Sequence, residues 1–282
     1  KMVRQDKPDL IFVSYPHASA LLLALLLHRI TRLPLVVDFR DPMLYFNAGV
    51  YGAREKVYRW LERRVVKRCC YAIFTAPSAI SDYAEKKFPD EPNSKWVFLE
   101  NGFDEADFLL VEKKLACVTS LKSDKLVLLH SGLIDSVERD PSAFFQALAQ
   151  LIGSGEVDVD SLHIILRASG EEDLYQTQIN ALGLQGVVEL APKLSYFDAL
   201  REMLSVDGLL IFQGSTCNAQ IPAKVYEYFR AKKPIFALLD VTGDTASLMR
   251  NAGLSHFSTL DDVDSIVSRF GEFIAEVRTG VA

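Results

Sequence analysis

The chain has 282 residues, 49% hydrophobic and 24% charged, enough for two globular domains whose cores need neither disulfide nor metal support. That balance excludes a disordered tail, a collagen and a small disulfide-stapled fold. The net charge of −6 makes nucleic acid an unexpected partner.

The charge is uneven. Residues 1–115 carry a net +3 and residues 116–282 a net −9, which points to two domains with different partners. The four cysteines, Cys69, Cys70, Cys117 and Cys217, form no C-x-x-C and read as free thiols of a reducing cytoplasm.

Asp9–Ser14, after Lys7-Pro8, reads as a buried parallel strand. The ten-residue run from Ala18 to Leu27, apolar but for Ser19, is too short to span a bilayer, which takes about 20, and predicts a buried helix over 18–30. Strands are expected at 34–38, 72–75 and 96–99, with a helix over 78–88. After a polar linker near 112–125, strands are expected at 126–130, 162–166, 187–190, 208–212 and 234–238. Helices fall between them at 141–152, 171–182, 198–205 and 223–231, and the chain ends in a helix near 261–277. Strands alternating with helices at this spacing define βαβ units and parallel sheets. Ligands of such sheets sit at the C-terminal strand ends, so the loops after the strands carry the chemistry.

Three loops stand out. His130-Ser131-Gly132 follows a strand, with Arg139-Asp140-Pro141 a few residues on. A glycine there lets backbone N–H groups approach an anion, and an arginine can fork onto a diphosphate. The alternative is a tight turn with a surface arginine. Arg167-Ala168-Ser169-Gly170 is similar but is no G-x-G-x-x-G, and neither that fingerprint nor a Walker motif occurs. That argues against an ordinary NAD, FAD or P-loop site; a plain turn is the simpler reading of Gly170. The third loop runs Ile221-Pro222-Ala223-Lys224-Val225-Tyr226-Glu227-Tyr228. Pro222 suits a helix start, the N–H groups of Ala223, Lys224 and Val225 would face an anion, and Glu227, one turn in, can accept hydrogen bonds from ribose hydroxyls. The plainer reading of Glu227 is a surface cap or ion pair.

This third loop, followed by Ala231-Lys232-Lys233-Pro234-Ile235, resembles the donor-site helix of family 4 glycosyltransferases of the GT-B fold. Asp38-Phe39-Arg40-Asp41-Pro42, Asn101-Gly102-Phe103-Asp104, His130-Ser131-Gly132 to Pro141, Gly170, Pro192 and Thr242-Gly243 fall in the family's order. The resemblance covers most of residues 7–260. It implies an α/β fold of two Rossmann-like domains with parallel sheets facing across a cleft. Residues 1–115 would be a partial acceptor-side domain and 116–260 the nucleotide-sugar domain. Residues 261–282 would form a C-terminal helix with the option of returning to the first domain. It further implies metal-independent, retaining transfer from a UDP- or GDP-sugar, with no other cofactor, to a glycan or lipid-linked acceptor in surface polysaccharide synthesis. Arg139 matches the cation that neutralises the donor diphosphate, Gly132 the glycine of the diphosphate loop, and Glu227 the second glutamate of the E-x7-E motif.

The sequence departs from the family at several points. Ala219 stands where that motif has its first glutamate, Leu133 where many members have a second cation, and Ser14 near a histidine of some members. His17 is the expected substitute at the reaction centre, with Asp41 as a polarising carboxylate; polar surface is the plainer reading of His17, a structural role that of Asp41. Family members open with a further strand and glycine-rich loop, so this chain is expected to begin within the N-terminal sheet. Two other functions remain open: a non-catalytic nucleotide-sugar-binding scaffold and a sugar-nucleotide epimerase.

Residues 54–68 carry seven cations and two acids around Val57, Trp60, Leu61 and Val65. Such a helix can lie on an anionic membrane, here the inner face of the plasma membrane; a packed surface helix is the favoured alternative.

Overall fold

The computed structural model describes residues 8–44, 52, 54–115 and 125–280; Cys117 lies outside them. The chain divides into two units, one of Lys1–Asn101 with Ala219–Ile221, the other of Gly102–Asn218 with Pro222–Ala282.

The first unit is a four-stranded sheet in the order β1-β2-β3-β4, with every pairing parallel. Its strands are Ile11–Ser14 (β1), Leu35–Arg40 (β2), Tyr71–Phe74 (β3) and Trp96–Phe98 (β4). Helix α1 (Ala18–Thr31) links β1 to β2, and α2 (Glu55–Val66) precedes β3. Phe39 and Phe74 stack with ring centroids 5.2 Å apart, and Tyr83 packs against both.

The helix expected to be buried is not. In α1 only Leu21 and Ala24 face inward, while Leu22, Leu23 and Leu26 are about half exposed. A continuous apolar run gives no periodicity from which to read a buried face. The basic helix α2 also splits: Leu61, Val65 and Val66 are buried, whereas Val57 and Trp60 turn outward with the seven cations.

The helix expected over 78–88 is a short α-helix α3 (Pro77–Ser81) followed by a π-helical turn over Asp82–Lys87. That turn directs Tyr83 and Lys87 onto the buried carboxylate of Glu62. The Tyr83 hydroxyl donates to Glu62, and Lys87 Nζ donates to Glu62 Oε1 at 2.9 Å and to the Leu44 carbonyl at 2.6 Å. The Met43 N–H donates to Tyr83 Oη at 3.0 Å. This buried polar cluster pins the segment that follows Asp41.

The second unit is a six-stranded parallel sheet in the order β10-β9-β8-β5-β6-β7. Its strands are Leu126–Ser131 (β5), Leu162–Arg167 (β6), Val188–Ala191 (β7), Gly208–Phe212 (β8), Ile235–Leu238 (β9) and Phe257–Ser258 (β10). Strands β8 and β9 are buried along their whole length, as expected where helices cover both faces. One face packs on α5 (Ser142–Gly153), α6 (Glu172–Ala181) and α10 (Val263–Thr279) through Phe144, Phe145, Tyr175, Phe270 and Phe273. The other packs on α4 (Glu105–Leu115), α7 (Tyr196–Ser205), α8 (Ala223–Ala231) and α9 (Asp244–Asn251) through Phe108, Leu200, Tyr228 and Met249. Each such side chain contributes about 1.5–3 kcal/mol by burial.

Two expected boundaries move. Residues 105–115 form α4 of the second unit rather than the end of the first. Phe108 and Val111 enter its core, and Arg230 of α8 forks onto Glu105 and Glu112 at 2.6 and 2.8 Å. The C-terminal helix α10 belongs to the second unit, its Ile266, Phe270, Phe273 and Ile274 buried on that sheet. Cys69, Cys70 and Cys217 are free thiols; burial pushes those of Cys69 and Cys217 up to about 12. No helix of the described residues is long and apolar enough to cross a membrane.

Candidate functional site

The site is built at the C-terminal edge of the second sheet, where β5 ends in His130-Ser131-Gly132. His130 is fully buried and packs edge-on against Phe212. Its Nδ1 lies 2.9 Å from the Leu210 carbonyl of neighbouring β8. A carbonyl only accepts, so Nδ1 carries the proton and Nε2 presents a lone pair. Lys224 Nζ lies 3.1 Å from that nitrogen. Burial, then the nearby Lys224 amine, hold His130 well below the ordinary imidazole range and therefore neutral.

Gly132 lies under the same amine. Its φ is +124°, and a Cβ there would stand 2.8 Å from Lys224 Nζ. Its own N–H donates to the Arg167 carbonyl at 2.9 Å, while the Ser131 N–H donates to Tyr228 Oη at 3.0 Å. The glycine therefore contributes space rather than the free donor expected of it. Gly170, at φ +99°, sits on the adjacent loop after β6, where a Cβ would meet Leu133 Cδ2 at 2.9 Å.

Lys224 is placed by α8. Pro222 stands just before that helix, at φ −59° and ψ 133°, and no side chain caps it. The Val225 N–H turns back to the Pro222 carbonyl at 3.0 Å, and its side chain is fully buried. Val225 is thus a packing residue rather than a donor, which leaves Ala223 and Lys224 as the amides without an intrahelical carbonyl. The positive end of the helix dipole points the same way.

Burial, then the charge of Arg139, lower the Lys224 amine to about 7, with Glu227 acting in the opposite sense. Glu227 lies one turn further along α8, where its Oε1 accepts from Tyr196 Oη at 3.3 Å. Burial raises its carboxyl, opposed by that hydrogen bond and by Lys224. The loop after β8 is braced from two sides. Gly214 donates its N–H to the Glu138 carbonyl, beside Arg139, and Asn218 Nδ2 donates to Asp240 Oδ2 at 2.7 Å.

The structure thus gathers Gly132, Arg139, Lys224 and Glu227 around one strand end, with Gly170 alongside. His130, Tyr196 and Tyr228 complete the arrangement; the sequence signalled His130 and Tyr228 only as neighbours of motif residues, and Tyr196 not at all. In the first unit His17 is exposed at the start of α1, and its side chain caps nothing. Asp41 follows β2, its N–H donating to the Phe39 carbonyl at 2.6 Å after Arg40 at φ +58°. Both therefore lie at C-terminal ends of adjacent strands. Ser14 Oγ donates to Asp38 Oδ2 at 3.0 Å between the same two strands. Among the described residues no group of three or more His, Cys, Asp or Glu side chains is placed to hold a metal.

Two units, each built on a parallel sheet, are the components of the GT-B fold. Solved structures agree on that fold. HepE (Alr3699) of Anabaena, in complex with UDP and glucose, superposes with a TM-score of 0.67 at 16% identity over 96% of this chain and 70% of its own. Sucrose-phosphate synthase of Thermosynechococcus elongatus gives 0.74 at 12% identity over 99% and 67%. A UDP-N-acetylglucosamine 2-epimerase gives 0.55 at 11% identity over 99% and 67%. No curated protein matches the sequence significantly. Residues 1–102 match the glycosyl transferase 4-like domain, and the chain as a whole has the GT-B fold.

Proposed function

We propose that the second unit binds a nucleoside-diphosphate sugar, UDP- or GDP-linked, and that the protein transfers the sugar, with retained configuration and without a metal, to a glycan or lipid-linked acceptor. One observation carries the reading. The Lys224 amine and Arg139 lie close enough for Arg139 to depress the amine, at the N-terminus of α8 and one turn from Glu227. A cation beside an amine resists a second positive charge unless an anion joins them, and a diphosphate fits. Arg139, Lys224 and the amides of Ala223 and Lys224 would stabilise the charge that develops on the departing nucleoside diphosphate. Glu227 would take the ribose hydroxyls, while Gly132 leaves the space that the Lys224 amine fills and Gly170 lets the neighbouring loop pack closely beside it. The complexes of HepE with UDP and with UDP-glucose support this choice of ligand.

His17 and Asp41 of the first unit are proposed to meet the acceptor, with Asp41 polarising its hydroxyl. Surface polysaccharide is the proposed product class. The seven exposed cations of residues 54–68, with Trp60 and Val57 turned outward, are proposed to rest on anionic lipid of the cytoplasmic leaflet. Flotation with anionic vesicles tests that contact, and absence of binding rejects it.

Calorimetry with UDP, GDP and their sugars tests the donor site. Binding of one nucleotide, lost in Glu227→Ala, is the expected result. Ala219, in place of the family's sugar-contacting glutamate, favours a second reading, a nucleotide-sugar-binding scaffold. Binding without turnover on any lipid-linked or glycan acceptor would select it. Conversion of the donor alone into an epimer would instead select an epimerase.

A further inference from the structure

Lys224 is held in a way that fixes its position without fixing its charge. The acceptor that holds it is the Nε2 lone pair of His130, and a lone pair accepts an N–H from an ammonium or from a neutral amine alike. A carboxylate there would have locked the charged form. The imidazole cannot turn away, because its Nδ1–H is committed to the Leu210 carbonyl at 2.9 Å and its ring is buried against Phe212. Gly132 has no side chain, and the amine occupies the space directly above it.

The groups acting on the amine are few. Arg139, from the loop after β5, opposes the ammonium, and Glu227, on the same helix, favours it only weakly against burial. His130 itself is neutral, and the Tyr228 hydroxyl is engaged by the Ser131 N–H at 3.0 Å.

We propose that Lys224 is a proton-coupled anchor for the donor diphosphate, with His130 as its positioning residue, so that arrival of the donor draws one proton from solvent onto the amine. The proposal rests on the donor reading above. The coupling is an ordinary acid–base step, in which the neutral amine and a buffer proton give an ammonium paired to a phosphate oxygen. The amine's value of about 7 in the free protein sets the window. Below pH 7 the anchor is already charged. Above it each bound donor must recharge it, so affinity falls about tenfold per pH unit until the bound form itself titrates.

Calorimetry of UDP-glucose and GDP-mannose at pH 8, in buffers of differing ionisation enthalpy, reads the proton directly. These diphosphate diesters lack the terminal phosphate whose second ionisation near pH 6 would confuse the count. Expected is an uptake of about 0.9 proton per site at pH 8 and about 0.1 at pH 6, from a free value near 7. Lys224→Arg should bind without uptake and without the pH slope. His130→Gln should shift the pH profile, an effect that a purely structural role would not produce. Donor binding with no uptake at pH 8, or with the same uptake in Lys224→Arg, overturns the proposal and leaves the donor site standing. Binding of neither sugar nucleotide overturns both. Lysine NMR of the free protein gives a test without ligand. A Lys224 signal that titrates near 7 supports the anchor, and one in the ordinary range near pH 10 rejects it, whichever nucleotide binds.

Discussion

Gly132→Ala separates backbone strain from loss of the lysine anchor. At φ +124° an L-residue is held in a conformation that costs about 1–3 kcal/mol. The new Cβ would also lie 2.8 Å from Lys224 Nζ. The amine ends a flexible side chain, so it would swing aside rather than split the sheet. Its movement breaks the 3.1 Å hydrogen bond to His130 Nε2 and leaves that buried acceptor unpaired, at a further cost of about 1–3 kcal/mol. The expected loss is therefore about 2–6 kcal/mol in urea unfolding, with donor affinity falling at least tenfold because the amine has left its place. The same substitution in a Lys224→Ala background should show only the strain. A Gly132→Ala protein within about 0.5 kcal/mol of wild type would refute the assigned backbone conformation. A loss unchanged in the Lys224→Ala background would refute the contact.

Other expectations follow from the same geometry. Glu62→Ala removes the carboxylate that Lys87 and the Tyr83 hydroxyl share in the first unit, and should destabilise it by about 3–5 kcal/mol; Glu62→Leu with Lys87→Met should recover most of that in thermal unfolding, and a single variant that unfolds like wild type would remove the cluster from the account. Lys224 is lowered from 10.5 to about 7, so the unfolded chain binds the extra proton between those values and stability rises with pH across that window, by up to about 1.4 kcal/mol per unit; Lys224→Met should lack this rise in urea titrations at pH 7 and 9. His130 is held neutral, so acidification through the ordinary imidazole range near 6.5 should cost stability that His130→Gln does not lose. Arg139→Ala should abolish transfer while leaving the circular dichroism and melting of the protein near wild type; unchanged turnover would reject its role on the diphosphate.

Much of the fold could be read along the chain. Buried parallel strands are continuous apolar runs, and the two runs of βαβ units stood out because Leu126–His130 and Gly208–Phe212 have no polar alternation to suggest anything else. The helix at 105–115 did not, because Phe108 and Val111 are embedded among charges that resemble a linker, and its apolar face is defined only by what Arg230 and α7 bring to it. The short α9 and the two-residue β10 were too brief to leave a period. The outward turn of Leu22, Leu23 and Leu26 was unreadable for the opposite reason, since an all-apolar run marks no face.

The site divides in the same way. Local order fixed Gly132, Pro222 and Glu227, because a strand end, a helix start and the next helical turn are set by neighbours in sequence. Partners drawn from distant strands were decided by the tertiary structure alone. His130 and Lys224 are 94 residues apart, and only the adjacency of β5 and β8, with α8 packed across them, sets one amine between a neutral imidazole and a glycine. Sequence named the residue types an anion requires. Burial, and the charges that packing placed beside them, decided which proton each one holds.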